Sequence, residues 1–132
     1  MIATSEVEMR IAAELEEAGQ ENIAAMINTI IAPAGDAWEV AAMRVALDNM
    51  VRGGLATMAL DPGPGKRLVP LNVEDSLALV ARIESLLRFR TSDRHWTFST
   101  GEHPNVIATE AGRERGFKIL DERGYQWWRP RA

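Results

Sequence analysis

Apolar residues recur at helical spacing through the first third of the chain and then give way to shorter runs. Val7, Ile11, Leu15 and Ala18 share one face, while Glu8, Glu14, Glu16 and Glu17 occupy the other. This pattern predicts an amphipathic helix from Ser5 to Gly19. Ser5 and Glu8 have the S-x-x-E spacing of a capping box, and Gly19 suits a C-terminal stop. Ile23, Met26, Ile27, Ile30 and Ile31 predict a second helix over 22–31. It closes at Ala32-Pro33-Ala34-Gly35, since proline disfavours helix at the residue before it. Asp36 and Glu39 repeat the capping-box spacing and open a third helix, 36–52. Its core stripe is Val40, Met43, Leu47, Met50 and Val51, and Gly53-Gly54 ends it.

Beyond this point the period changes. Leu55 to Leu60 and Arg67 to Asn72 read as two short strands joined by D-P-G-P-G-K, a hairpin over 55–72. Pro70 cannot donate to a ladder and so suits an edge strand. A fourth helix is predicted over 74–89. Leu77, Leu79, Val80, Ile83, Leu86 and Leu87 make it apolar around much of its circumference. Such a surface must be covered by the domain or by a second copy, so the expectation is a homodimer through helix 74–89 that buries Leu79 or Leu86. A loop and a strand with Trp96 and Phe98 on one face come next, then a turn at G-E-H-P-N and a segment, Val106 to Ala108, that can pair back. Thr109 caps a fifth helix ending near Arg123. Gly112 and Gly116 weaken it by about 1 kcal/mol each relative to alanine. Y-Q-W-W-R reads as a closing strand stopped by Pro130.

Helix, helix, short turn, helix, hairpin is the order of a winged helix-turn-helix. The run V-A-L-D-N-M-V-R-G-G-L-A resembles the third helix and first wing strand of bacterial winged-helix regulators, and the likeness covers roughly residues 5–72. The run V-I-A-T-E-A-G-R-E-R-G is similar to the L-T-x-x-G-R junction after the wing in MarR-type and PadR-type regulators. Here it follows a second hairpin, so it marks either a second wing or only a strand leading into a capped helix. The expected fold is α+β: a winged helix-turn-helix domain over 1–73, with a helix-strand-helix-strand elaboration over 74–132 packed on it as one unit. The resemblance implies a transcriptional regulator that places helix 36–52 in the major groove of duplex DNA and wing 55–72 on the backbone. Arg44, Asn49 and Arg52 would then read bases, while Lys66 and Arg67 would hold phosphate.

Charge pulls the other way. Residues 1–62 carry three basic and ten acidic side chains, a net of -7, against +3 for residues 63–132. An acidic helix-turn-helix half repels phosphate. Glu39 and Asp48 fall on the outward surface of helix 36–52, beside an apolar strip of Trp38, Ala41, Ala42 and Val45 that suits a protein contact. The alternative reading is therefore a winged-helix protein-interaction module that does not bind DNA. It would use Trp38, Ala42 and Val45, or a basic-aromatic set that includes Arg90, Arg94, Trp128 and Arg129. That set, with Arg88, Trp96, Phe98, Trp127 and Arg131, can stack bases or bind an acidic partner. Equally, Trp96, Phe98, Tyr125 and Trp127 can form the core of a small sheet with the arginines on its rim.

The remaining chemistry is sparse. His95 and His103 are the available near-neutral acid–base groups, and neither has a metal-ligand spacing. P-G-P-G-K lacks the spacing of a phosphate loop and loses amides at its prolines. No enzyme activity, cofactor or metal is expected. At 132 residues and 46% hydrophobic content the chain suits one domain with a real core. Every apolar run is interrupted by charge, Gly or Pro, so no membrane span is expected. The absence of cysteine and of a basic N-terminal region suggests a cytoplasmic protein without a signal peptide.

Overall fold

The computed structural model describes residues 1–129. The expected strand stop at Pro130 and the candidate Arg131 lie outside the described residues. The elements run α1 (Thr4–Ala18), β1 (Gln20–Asn22), α2 (Ile23–Ile30), α3 (Ala37–Arg52), β2 (Ala56–Leu60), α4 (Val73–Val80), α5 (Ile83–Leu86), β3 (Leu87–Arg90), β4 (His95–Phe98), β5 (Pro104–Ala108) and α6 (Glu110–Arg123). The fold is α+β, with two small antiparallel sheets ordered β1-β5-β2 and β3-β4.

The first three helices form where the apolar stripes place them. Val7, Ile11, Leu15, Met26, Ile27, Met43, Leu47 and Met50 are all buried in one cluster. Capping differs from expectation in α1, whose N-cap is Ala3 with no side-chain cap. Glu8 instead turns toward α3, where its carboxylate accepts from Asn49 Nδ2 at 3.5 Å. In α2, Asn22 Oδ1 accepts from the Ala25 amide at 2.8 Å. The chain breaks between α2 and α3 at Ile31–Asp36, around Pro33 and Gly35.

The hairpin expected over 55–72 does not form. β2 pairs instead with β5, in register from Ala56↔Ala108 to Leu60↔Pro104, and β5 also pairs with β1. Residues 61–72 contain no strand. Their link to β2 is one bond, Leu71 N–H to the Met58 carbonyl at 2.8 Å, while the Ser76 hydroxyl accepts from the Met58 amide at 3.0 Å. Pro70 removes a donor, and Val69 is exposed, so this stretch has neither a ladder nor a core face to hold it as a strand. Val106 to Ala108 does pair back, but onto β1 and β2 rather than onto the Trp96 strand.

The single helix predicted over 74–89 is two short ones. The chain turns at Ala81-Arg82 and leaves α5 directly as β3. Both short helices pack against α3, and each turns apolar residues inward. Leu79, Val80, Ile83, Leu86 and Leu87 are buried within one copy of the chain. Leu79 and Leu86, the residues expected to meet a second chain through 74–89, are thus already covered by their own chain, while Leu77 stays half-buried.

β3 and β4 form a hairpin in which Phe89 faces Trp96 edge-on, ring centroids 5.4 Å apart. Gly35, at φ +87°, lies under this hairpin. A Cβ there would sit 2.7 Å from the Phe89 ring. The closing segment is a turn rather than a strand. Trp127 and Trp128 meet edge to face at 4.7 Å. Their indole N–H groups donate to Glu6 Oε1 at 3.2 Å and to the Thr29 carbonyl at 3.1 Å. Tyr125 is exposed and joins no sheet core.

Candidate interaction surfaces

On α3 the expected base readers are already engaged. Arg44 Nε donates to Glu84 on α5, Arg52 Nε donates to Asp48 Oδ2 at 2.8 Å, and Asn49 reaches Glu8 on α1. Each group is bonded to a carboxylate of its own chain, which neutralises the charge of the two arginines and occupies a donor of the Asn49 amide. Lys66 and Arg67 are exposed, but in the irregular 61–72 segment rather than on a wing strand. The apolar strip is partly consumed by the fold. Trp38 and Ala42 pack against the core, and only Val45 among the three proposed partner contacts is exposed.

Glu39 was expected on the outward surface and is fully buried. Its carboxylate accepts from the amides of Ala34 at 3.1 Å, Gly35 at 3.4 Å and Asp36 at 2.9 Å, and from Trp96 Nε1 at 3.0 Å. Burial opposes ionisation, but the Trp96 indole and the three amides outweigh it and hold the carboxyl below its ordinary range. Beside it, Asn28 bonds the Trp96 backbone in both directions, at 2.8 and 2.9 Å, as a neighbouring strand would. One carboxylate and one amide thus fasten the β3–β4 hairpin to the α2–α3 loop. The lone pairs of Glu39 are occupied, so the group is a structural anchor. The capping-box spacing marked its backbone bond, but the indole donor lies 57 residues away.

The basic-aromatic set is dispersed. Arg90 is clamped to Asp93 at 3.0 and 3.1 Å, and Arg94 sits exposed at the hairpin tip with φ 57°. Trp128 is half-buried on α2, and Arg129 Nη1 donates to Gln126 at 2.9 Å. His95 lies on β4 and contacts the Asp93 carbonyl through Nδ1 at 2.6 Å, while His103 stacks on Phe98 at 4.4 Å. No group of acidic or histidine side chains among the described residues is placed to hold a metal ion, and no helix there is long and apolar enough to cross a membrane.

An acidic cluster lies where α1 meets β1. Glu14 is buried, Glu17 and Glu21 approach it, and one carboxyl oxygen of each is buried with no hydrogen-bond partner among the described residues. Burial and the charge of Glu17 raise the Glu14 carboxyl above its ordinary value, against the pull of Arg129. Burial, together with the charge and hydrogen bond of Glu14, pushes Glu21 up from 4.5 to about 7. Protonation of Glu21 would supply a donor to the Glu14 carboxylate that this cluster otherwise lacks among the described residues. The folded carboxyl holds its proton to higher pH than the unfolded one. Its stabilisation is therefore complete below 4.5 and disappears as pH rises through about 7. The melting temperature is expected to fall by several degrees over this window. Glu21→Gln, a neutral near-isostere, is expected to flatten the profile. A wild-type profile with no slope there would show that the cluster shares no proton.

The largest exposed aromatic surface is one the sequence pattern did not mark. Phe117 on α6 is 65% exposed and Tyr125 is 74% exposed. Thr109 Oγ1 accepts from the Gly112 amide at 3.1 Å and donates to the Gly54 carbonyl at 2.6 Å, latching the start of α6 to the turn after α3. Gly112, Gly116, Ile119 and Leu120 face inward, and Phe117 is left outside. Reading the glycines as a buried face rather than as weak points would have indicated this. Two open grooves flank Phe117. One, of about 370 Å³, is lined by Glu16, Glu110, Arg113 and Glu114, and the other, of about 250 Å³, by Leu120, Asp121, Gly124 and Tyr125. Compared with protein-family models, curated proteins and solved structures, the chain matches none.

Proposed function

We propose that this chain is a winged-helix-type module that binds protein rather than duplex DNA. The element order α1-β1-α2-α3-β2, closed by β5 between β1 and β2, supports the winged-helix part. In this reading β5 takes the place of the second wing strand, and residues 61–103 are an enlarged wing. The run T-E-A-G-R, Thr109 to Arg113, then follows directly after that strand, where the resemblance to MarR-type and PadR-type regulators would have it.

The protein-binding part rests on one observation: Arg44, Asn49 and Arg52 are each bonded to a carboxylate of the same chain. DNA binding would have to break these contacts on a half of the chain with net charge -7. Exposed Phe117 on α6, with Tyr125 just beyond it, offers a binding face instead. The expected result is no retention of the wild type on pooled duplex DNA at about 50 mM salt, where electrostatic attraction is strong. Arg44→Ala and Arg52→Ala should leave the melting temperature close to that of the wild type, as the loss of exposed pairs does. The winged-helix topology favours duplex DNA as the second reading. Retention that weakens steeply with salt and is lost in Arg44→Ala would establish it in place of the first.

A further inference from the structure

We propose that β1 is a proton-gated edge strand. It lies on β5 while the Glu14–Glu21 carboxyl pair holds a proton, and it leaves β5 when both groups ionise. The pair is closed off from water. Glu14, on α1, is 8% exposed, and one carboxyl oxygen each of Glu14, Glu17 and Glu21 is buried without a hydrogen-bond partner among the described residues. Ionised carboxylates only accept, so this cluster lacks a donor, and a proton is the smallest group that supplies one. The charged groups around Glu21 are few. α1 brings Glu14, with Glu17 beside it, and the C-terminal turn brings Arg129. α2 and β5, the other elements packed on β1, carry no charged side chain. His103, just before β5, stacks on Phe98 instead. One guanidinium, itself donating to Gln126 at 2.9 Å, thus faces the carboxyls.

A fully ionised pair needs water, and something that covers it has to move. α1 is held by Val7, Ile11 and Leu15, all buried. The C-terminal turn is held by the indole bonds of Trp127 to Glu6 and of Trp128 to Thr29. β1 is held least. Gln20-Glu21-Asn22 is all polar and lies at the edge of its sheet, in register with β5 only from Gln20↔Ile107 to Asn22↔Asn105. β5 keeps its ladder with β2 when β1 leaves. The sign follows from Glu21, which burial and then the charge of Glu14 push up from 4.5 to about 7. The seated strand binds this proton more tightly than the released one. The seated form is therefore favoured in full below 4.5 and loses ground as pH rises through about 7, by about 300-fold over the interval.

Amide exchange of the full chain at about pH 5 and about pH 8, corrected for intrinsic rates, reads the release. Residues 20–22 are expected to lose protection about tenfold or more between the two conditions. Thr57 to Ala59, on the other side of β5, should keep theirs. Glu21→Gln, which cannot ionise, should leave residues 20–22 equally protected at both. Carbon-13 titration of the wild-type carboxyls, which needs no variant, should place Glu21 near 7. A Glu21 that titrates near 4.5 overturns the inference, as does β1 protection that is equal in the two conditions. So does a loss shared equally by β2, or one that persists in Glu21→Gln.

Discussion

Gly112→Ala is expected to destabilise the protein by about 3 kcal/mol or more, although alanine is the better helix former by about 1 kcal/mol. The reason is distance. A Cβ at Gly112 would lie 1.9 Å from the Leu55 carbonyl oxygen, a backbone atom that cannot swing away. That oxygen is also held by the Thr109 amide at 3.1 Å, and Thr109 is itself tied to Gly54. Relief therefore requires moving the start of α6 away from the turn after α3, which opens the junction between α6 and β2. Gly116 repeats the constraint one turn on, with the Ala12 carbonyl 2.5 Å and Glu16 Cβ 3.0 Å from a built Cβ. Thermal unfolding should show a fall of about 10 °C or more for Gly112→Ala. Ala111→Gly, on the exposed side of the same turn, isolates propensity and should cost about 1 kcal/mol. If Gly112→Ala instead raises the melting temperature, α6 does not approach α1 and Leu55 as closely as described.

Glu39→Ala is expected to cost about 3–5 kcal/mol, the range for removing one partner from a buried charged network. The loss goes beyond the carboxylate itself. The amides of Ala34, Gly35 and Asp36 and the indole of Trp96 all lose their acceptor inside the protein. Two elements should loosen together, the α2–α3 loop and the β3–β4 hairpin, so amide exchange should rise at both while α1 and α6 keep their protection. Glu39→Gln keeps one acceptor oxygen and should lose less. Acid provides a second view. The hydrogen bonds hold Glu39 below the 4.5 of a free glutamate despite its burial, so its contribution is present above 4.5 and is lost as pH falls through the lower folded value. Glu21 has the opposite sign and loses its contribution between 4.5 and about 7. The two together place the stability maximum near the lower end of that interval. A Glu39→Ala variant within about 0.5 kcal/mol of the wild type would mean the hairpin is held by its apolar contacts alone.

The helices of the first fifty residues were legible because a helix is a local object. Its hydrogen bonds join residues four apart, and its buried face appears as a period of 3.6, so Val7-Ile11-Leu15 and Val40-Met43-Leu47 declare themselves. The stops at Gly19, Pro33 and Gly53 are local for the same reason, as is the Thr109 cap of α6. The partner of β2 was not legible. D-P-G-P-G-K is a strong turn signal, and it pointed to residues 67–72. The strand that supplies the ladder, β5, begins 44 residues after β2 ends at Leu60. β1 was invisible for a different reason: Gln20-Glu21-Asn22 is all polar, with no alternation, and it is a strand only because β5 arrives beside it.

The surfaces divide in the same way. The sequence by itself determined that α3 has an apolar inner stripe and that the first half of the chain is acidic. Composition and period carry both facts. Only the tertiary structure decided that Glu39 points inward to an indole from β4, that Arg44 is met by Glu84 from α5, and that Leu79 and Leu86 are buried in their own chain. A polar or surplus apolar side chain is neutral with respect to inside and outside until its partners are known, and those partners come from distant segments. Phe117 shows the converse. Nothing in its neighbours' periodicity exposes it. It is left outside because two glycines let the opposite face of α6 approach backbone carbonyls, a closeness that depends on where α1 and Leu55 stand rather than on any pattern along α6.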